Sequence, residues 1–318
     1  MSPLVTVVCL CYNHEKFVKE AIHSVIDQTY KNIQVIIIDD ASIDGSAAII
    51  KQIINNHPTI QFIQLNENIG NCRAFNRSLP YIKGDFVIDF ATDDVMLRQR
   101  IEQQVKHFSL LDKSYGVVFT DSIYIDEKGN YIRSHYTYLK DKGLLHTVPE
   151  GDVYQQILST YFISSPTMIS RKEVFDCLQG YDERLSYEDF DFWVRSSRKF
   201  KYSFLNEITT KVRISVRSMS RGWYIPGDKQ LYSTYLVCKK AQVLNKNNQD
   251  HEALAKRLRY EIRQSVFSEN RKEAENFYAL LHEINRDDVM STFVMLLNRL
   301  KLPLSGIRRL YHKLKYGK

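Results

Sequence analysis

The feature that most constrains this chain is an alternation along its first 120 residues, where short apolar runs exchange with longer stretches carrying apolar residues at helical spacing. Residues 5–10 read VTVVCL, a near-continuous apolar run of strand length. Phe17, Val18, Ala21, Ile22, Val25 and Ile26 then recur as one face of a helix does, and residues 33–38 return to an apolar run, IQVIII. The rhythm continues with helix 46–55, strand 60–65, helix 71–80, strand 85–90, helix 98–111 and strand 116–120. Uninterrupted apolar strands joined by amphipathic helices need burial on both faces. The pattern therefore predicts an α/β fold, a mixed and mainly parallel sheet with helices on both sides. Glu127-Lys128-Gly129-Asn130 reads as a hairpin turn, which adds antiparallel strands. From about residue 227 the strand signal stops and helical spacing takes over, so the expected organisation is an α/β domain over 1–226 and a helical region with a basic tail over 227–318.

Composition narrows the function classes. The five cysteines, Cys9, Cys11, Cys72, Cys177 and Cys238, are odd in number and include no CxxC pair, which argues against a disulfide framework or a zinc site and for a reducing compartment. The opening Met-Ser-Pro-Leu lacks a basic leader region, and no run approaches the ~18 apolar residues of a membrane span, so the expectation is a cytoplasmic protein. The net charge of +7 concentrates at one place: Arg299, Lys301, Arg308, Arg309, Lys313, Lys315 and Lys318 fall within residues 299–318, where no acid occurs. Leu300, Leu302, Leu304, Ile307, Leu310 and Leu314 are interleaved with them. The segment fits a peripheral contact with an anionic bilayer, or a helix that packs its leucines and solvates its charges. No recognition motif accompanies the charge, and nucleic acid is not an expected partner.

In an open α/β sheet, ligands bind outside the carboxyl ends of the strands. Strand 33–38 ends in Asp39-Asp40-Ala41-Ser42-Ile43-Asp44-Gly45, and strand 85–90 ends in Ala91-Thr92-Asp93-Asp94. Neighbouring carboxylates repel, and a divalent cation relieves this: Mg²⁺ and Mn²⁺ prefer oxygen ligands and take one or two carboxylates while diphosphate and water fill the remaining positions. The structural alternative is a helix cap or Asx turn, most plausible for Asp39 and Asp44. A third cluster, Tyr187-Glu188-Asp189-Phe190-Asp191-Phe192-Trp193, opens an amphipathic helix. Acids are favoured in a first helical turn by the helix dipole, but a carboxylate there also suits a general base.

In combination these segments resemble glycosyltransferase family 2, whose members have the GT-A fold. The resemblance runs through Val5 to Asn13 (VTVVCLCYN), Ser24 to Ser46, Asn66 to Asp94, and Gly180 to Arg195 (GYDERLSYEDFDFWVR), together spanning about the first 215 residues. It implies that Tyr12 and Asp40 lie against a nucleobase and that Asn68, Gly70 and Arg73 line a donor pocket. It further puts Asp93 near the ribose and Asp94 on a metal, Mn²⁺ or Mg²⁺, that bridges to the diphosphate. Asp189 looks like the catalytic base, with Glu188 beside it as a contact to the acceptor; Glu188 or Asp191 is next in line as the base. Cys11 departs from the family's usual Pro or Thr. Ser215 stands where a histidine is common in the family, so a second metal ligand from the protein is not expected there, and the resemblance has Arg217 help hold the diphosphate instead. The Gln-x-x-Arg-Trp motif of processive members is absent.

The expected activity is transfer of a single sugar, with inversion, from a UDP- or dTDP-sugar to a hydroxyl of an acceptor glycan, lipid-linked at the inner membrane face, in cell-surface polysaccharide synthesis. Two other readings remain open. A sugar nucleotidyltransferase predicts a glycine-rich loop after the first strand, where this chain has Cys11-Tyr12-Asn13-His14-Glu15. A catalytically silent nucleotide-binding or scaffold subunit of a glycan assembly complex has no need of three intact acid clusters.

Overall fold

The computed structural model describes residues 2–215, 223–306 and 308. Arg217 and most of the basic tail, Ile307 and residues 309–318, lie outside the described residues. The chain forms two compact units. The first holds Met1–Val153, Phe162–Glu183 and Ser196–Ser215, and the second holds Tyr154–Tyr161, Arg184–Arg195 and Val216–Lys318. The sequence pattern predicts one boundary at 226; the chain instead crosses between units repeatedly. The reason is that 154–161 and 184–195 bury their side chains among the later helices. Tyr161 meets Phe190 and Trp193 edge-on, and the Tyr154 hydroxyl donates to Asn245 Oδ1 at 2.8 Å.

The first unit is built on a mixed sheet. Its strands are β1 (Val5–Cys11), β2 (Ile33–Asp39), β3 (Gln61–Gln64), β4 (Phe86–Ala91), β5 (Val95–Met96), β6 (Tyr115–Ile125), β7 (Tyr131–Ser134), β8 (Ile169–Arg171) and β9 (Lys201–Arg213), in the order β3-β2-β1-β4-β8-β6-β9-β5 with β7 paired to β6. β1 runs parallel to both β2 and β4, β2 parallel to β3, and β6 parallel to β9; β5, β7 and β8 pair antiparallel. The turn expected at 127–130 joins β6 to β7. There Asp126 Oδ1 accepts the backbone N–H groups of Lys128 and Asn130, and Gly129 takes the positive φ that the turn needs.

In chain order the helices are α1 (Val18–Ile26), α2 (Ser46–Asn56), α3 (Asn71–Asn76), α4 (Arg100–Phe108), α5 (His135–Asp141), α6 (Tyr154–Ser159), α7 (Lys172–Leu178), α8 (Asp189–Ser196), α9 (Gln230–Leu244), α10 (Asn248–Phe267), α11 (Arg271–Glu283) and α12 (Val289–Arg299). The helix expected over 71–80 stops at Asn76, and a 3₁₀ turn at Leu79–Tyr81 follows, because Pro80 offers no N–H to continue the ladder. On one face of β1, Val5, Val7, Cys9 and Cys11 pack with Ile22 and Val25 of α1, Ile50 of α2 and Ile101 of α4. Thr6 and Val8, pointing to the other face, are equally inaccessible. β1 is thus the doubly covered central strand that its sequence demands.

In the second unit α10 packs against α6, α9, α11 and α12. A charge pair lies inside it: Arg257 Nη1 donates to Glu261 Oε1 at 3.3 Å, Arg257 Nε donates to Leu158 O at 3.0 Å, and the Tyr224 hydroxyl donates to Glu261 Oε2 at 3.0 Å. The Arg257 guanidinium also sits 3.9 Å from the centre of the Tyr161 ring. This cluster draws segment 154–161 onto α10. Glu261→Ala strands a buried cation and is expected to lower unfolding free energy by about 3–5 kcal/mol in urea titration. Loss of the exposed Lys239–Glu283 pair should cost a small fraction of that, and equal losses for the two changes would contradict the assignment.

Candidate active site

Strand register builds the site. Cys11 lies opposite Asp39 on β2, and Leu10 lies opposite Ala91 on β4. The three strands therefore release their following segments, Tyr12 to His14, Asp40 to Gly45 and Thr92 to Asp94, at one rim of the first unit. Tyr12 is exposed there. Asn13, at φ 58°, turns back so that its Oδ1 accepts Ile43 N at 2.8 Å while its own N–H donates to Ser42 Oγ at 2.9 Å.

Asp40 is buried and already organises a loop. Its Oδ1 accepts Ile69 N at 2.8 Å, its Oδ2 accepts Gly70 N at 3.0 Å, and Asn68 Nδ2 donates to its carbonyl at 3.3 Å. Gly70 has φ +83°, a conformation that a side chain would strain. Asp40, Asn68 and Gly70, picked from separate segments of the sequence, are thus one structural unit. Arg73, on α3 directly after, is exposed and donates from Nε to Glu183 O at 3.3 Å. Asn76 ties the same helix to Tyr181 and Glu183, so the Gly180-Tyr181-Asp182-Glu183 segment is fixed to α3.

Asp44 behaves as the structural alternative predicts. Its Oδ1 accepts Ser46 N at 3.0 Å and its Oδ2 accepts Glu15 N at 3.1 Å. Partial burial raises its carboxyl, but these hydrogen bonds outweigh that and leave it below the ordinary range. Asp39 makes an Asx-type contact from Oδ2 to Ser42 N at 3.3 Å, and among the described residues no donor reaches its buried Oδ1.

Asp93 and Asp94 occupy the turn after β4, with Asp94 N donating to Ala91 O at 3.2 Å. Asp93 is partly open, and Asp94 is 4 % exposed. Burial, and next the Asp93 charge, push the Asp94 carboxyl well above the ordinary carboxylate range, against the pull of Arg213 and Arg100. Two residues that sequence reasoning passed over hold this turn. Arg213, ending β9, donates its N–H to Asp94 Oδ1 at 2.8 Å, its Nε to the Asp93 carbonyl at 2.9 Å and its Nη1 to the Asp126 carbonyl at 3.1 Å. Its Nη2 pairs with Glu20 at 2.8 Å, and its guanidinium lies 4.5 Å from the centre of the Phe17 ring. His14 bridges from the end of β1: Nδ1 is 2.9 Å from Thr92 Oγ1 and Nε2 is 3.9 Å from Asp93 Oδ2. Neither stands out by spacing; the only signal was the position of each at the end of a strand.

The chemistry of this turn fits a divalent cation. Among the described residues Asp94 has a hydrogen-bond donor only on Oδ1, and the repulsion from Asp93 is what a cation relieves. No cluster of three or more His, Cys, Asp or Glu suited to a metal occurs among the described residues. The turn therefore suits an ion that takes one or two carboxylates and draws its other oxygens from phosphate and water.

Glu188 and Asp189 belong to the second unit. Asp189 opens α8, with its Oδ1 accepting Phe190 N at 2.6 Å, and the Glu188 carbonyl accepts Phe192 N at 2.9 Å. Asp191 is 1 % exposed and is claimed by Arg195 at 2.7 Å and by Lys240, which removes it as the next-in-line base. Trp193 is buried, as expected of a core residue.

Residues 6–178, more than half of the chain, match the model of the family described as Glycosyl transferase family 2. The chain is 28% identical over 246 residues to an uncharacterized glycosyltransferase of Methanocaldococcus jannaschii, covering 74% of this chain and 79% of that one. It is 27% identical over 220 residues to the putative teichuronic acid biosynthesis glycosyltransferase TuaG of Bacillus subtilis, covering 69% and 82%. Among solved structures, S. aureus TarS in complex with UDP-GlcNAc matches with a TM-score of 0.70 at 17% identity, covering 99% of this chain and 92% of that one. The mannosyltransferase PcManGT of Pyrobaculum calidifontis, in complex with GDP-Man and Mn²⁺, matches at 0.60 with 15% identity, covering 98% and 83%. These likenesses show the fold, which is that of GT-A glycosyltransferases.

Arg213→Met removes the side-chain donors that pin the Asp93-Asp94 turn and is expected to lower unfolding free energy by about 3 kcal/mol. Glu20→Gln, which loses only a half-exposed partner, should cost much less. Equal urea midpoints for Arg213→Met and the native chain would show that the turn does not need the clamp.

Proposed function

Because the chain belongs to glycosyltransferase family 2, we propose that it moves a single sugar, with inversion, from a UDP- or dTDP-sugar to a hydroxyl of an acceptor glycan in cell-surface polysaccharide synthesis. The observation that carries this reading is the shared rim of β1, β2 and β4, where Tyr12, Asp40, Asp93 and Asp94 emerge together. A TarS complex with UDP-GlcNAc supports the uridine donor, and the likeness to the putative teichuronic acid biosynthesis glycosyltransferase TuaG supports the polysaccharide. A mannosyltransferase of the same fold with GDP-Man and Mn²⁺ supports a divalent cation. The five free thiols agree with a cytoplasmic site of reaction, which suits an acceptor carried on lipid at the inner membrane face.

In this reading Tyr12 packs on the nucleobase, and Asp40 offers its remaining lone pairs to the imide while its backbone partners hold it in place. Asn68, Gly70 and Arg73 line the donor pocket, Asp93 holds the ribose, and Arg217 reaches the diphosphate. Asp94, whose carboxylate accepts the Arg213 backbone N–H, would hold Mn²⁺ or Mg²⁺. When bound, the cation supplies neutralisation of charge on the departing diphosphate. Asp189 accepts the proton of the attacking hydroxyl as the new glycosidic bond forms, and Glu188 orients the acceptor.

Asp189→Asn is expected to leave donor binding nearly intact and lower turnover by about 10²- to 10⁴-fold, the size of a general-base contribution. Unchanged turnover would move the base to Glu188. NMR of the product should show the anomeric configuration opposite to that of the donor; retention would overturn the single-displacement reading.

A further inference from the structure

The last described helix of the second unit breaks a rule that its neighbour keeps. On α11 the solvent-facing positions are Lys272, Glu275, Ala279, His282 and Glu283. On α12 they are Val289, Met290, Thr292, Phe293, Leu296 and Arg299. The inner face of α12 is already satisfied: Ser291, Val294, Met295 and Asn298 are buried where the helix packs on α10 and α11. Its outer face nevertheless repeats apolar residues at helical spacing, with Val289 88 %, Phe293 55 %, Leu296 50 % and Leu300 60 % exposed. Isolated exposed apolar residues need no explanation, but a continuous stripe of them marks a contact surface.

Charge beside the stripe indicates what it contacts. In sequence, residues 289–318, after the Asp287-Asp288 pair that precedes the helix, contain seven Lys and Arg and no Asp or Glu. Arg299 and Lys301, both exposed, adjoin the stripe itself. A second copy of the chain would bring like charges together at such a face, which costs free energy. A negatively charged phospholipid surface satisfies both features, taking phenylalanine, leucine and methionine at the acyl boundary and lysine and arginine at the phosphates. We propose that the outer face of α12 is a docking surface for an anionic bilayer, with Phe293 and Leu296 inserted and Arg299 and Lys301 at the headgroups. The inference rests on α12 and its flanking charge, so it stands or falls independently of the transfer reaction. It also moves the membrane contact, expected from 299–318 alone, onto a folded helix.

The test is co-sedimentation of the full chain with phosphatidylcholine vesicles, with and without phosphatidylglycerol. The native chain should pellet only with the anionic vesicles, and less so as salt is raised. Phe293→Asp with Leu296→Asp should weaken that binding by about tenfold or more, since it removes two anchors and adds two repelling charges. The melting temperature of the double variant checks that it is folded. If it melts lower, Arg299→Gln with Lys301→Gln serves instead, and should weaken binding by about threefold or more. Native protein that ignores anionic vesicles overturns the proposal, as does undiminished binding by a folded variant. A native dimer that the Phe293, Leu296 variant splits, with no vesicle binding, assigns the face to a second copy and overturns it as well.

Discussion

The first unit depends on β1 being paired in parallel on both sides and covered on both faces. Val5, Val7, Val8 and Cys9 have no access to solvent, so the strand can sit only at the centre of the sheet. Burying each such side chain is worth about 1.5–3 kcal/mol against exposure, which fixes the strand's place far more firmly than any single polar contact. Parallel pairing then does what an antiparallel arrangement does not: it sends the chain out of β1, β2 and β4 at the same edge. The site segments share one rim because of core packing, before any polar interaction among them is considered.

The polar interactions decide what that rim becomes. Asp94 is a carboxylate held out of water beside another carboxylate, which a stable fold has no reason to keep for its own sake. The protein tolerates it by surrounding it with fixed cations. Arg213 clamps the turn from β9, and fully buried Arg100, donating to Thr210 Oγ1 at 3.0 Å and the Met168 carbonyl at 3.0 Å, adds its field from α4. These two cations do not overcome the cost that burial and Asp93 place on ionising Asp94, and a rigidly placed carboxyl of this kind suits a ligand that supplies further counter-charge. Asp191 provides the contrast. It is equally buried, but Arg195 and Lys240 neutralise it fully, and it serves structure.

Strands and helices were largely legible because apolar periodicity is a local signal. β1, β2 and β4 fall within a residue of the runs that announce them, and the turn at 127–130 is set by Asp126 and Gly129. The acids were legible as clusters, but their division of labour was not. Asp39, Asp40 and Asp44 look alike in sequence; only the structure shows Asp40 gathering the 68–70 loop while Asp44 caps a turn. Arg213 and His14 were missed for a physical reason: each acts on a turn more than 75 residues away, through geometry that no local pattern encodes. The repeated crossing between units escaped notice in the same way, since the burial of Tyr161 and Phe190 depends on helices that come much later in the chain.

In the proposed function a divalent cation and a nucleoside diphosphate bind together through Asp94. Calorimetric titration of UDP with and without Mn²⁺, on the native chain and on Asp94→Ala, tests this most directly. The account predicts tight UDP binding by the native chain only when Mn²⁺ is present, and loss of that manganese dependence in the variant. Equal UDP affinity for both proteins in Mn²⁺ would contradict it, and absence of any nucleotide binding by the native chain would return it to a scaffold reading.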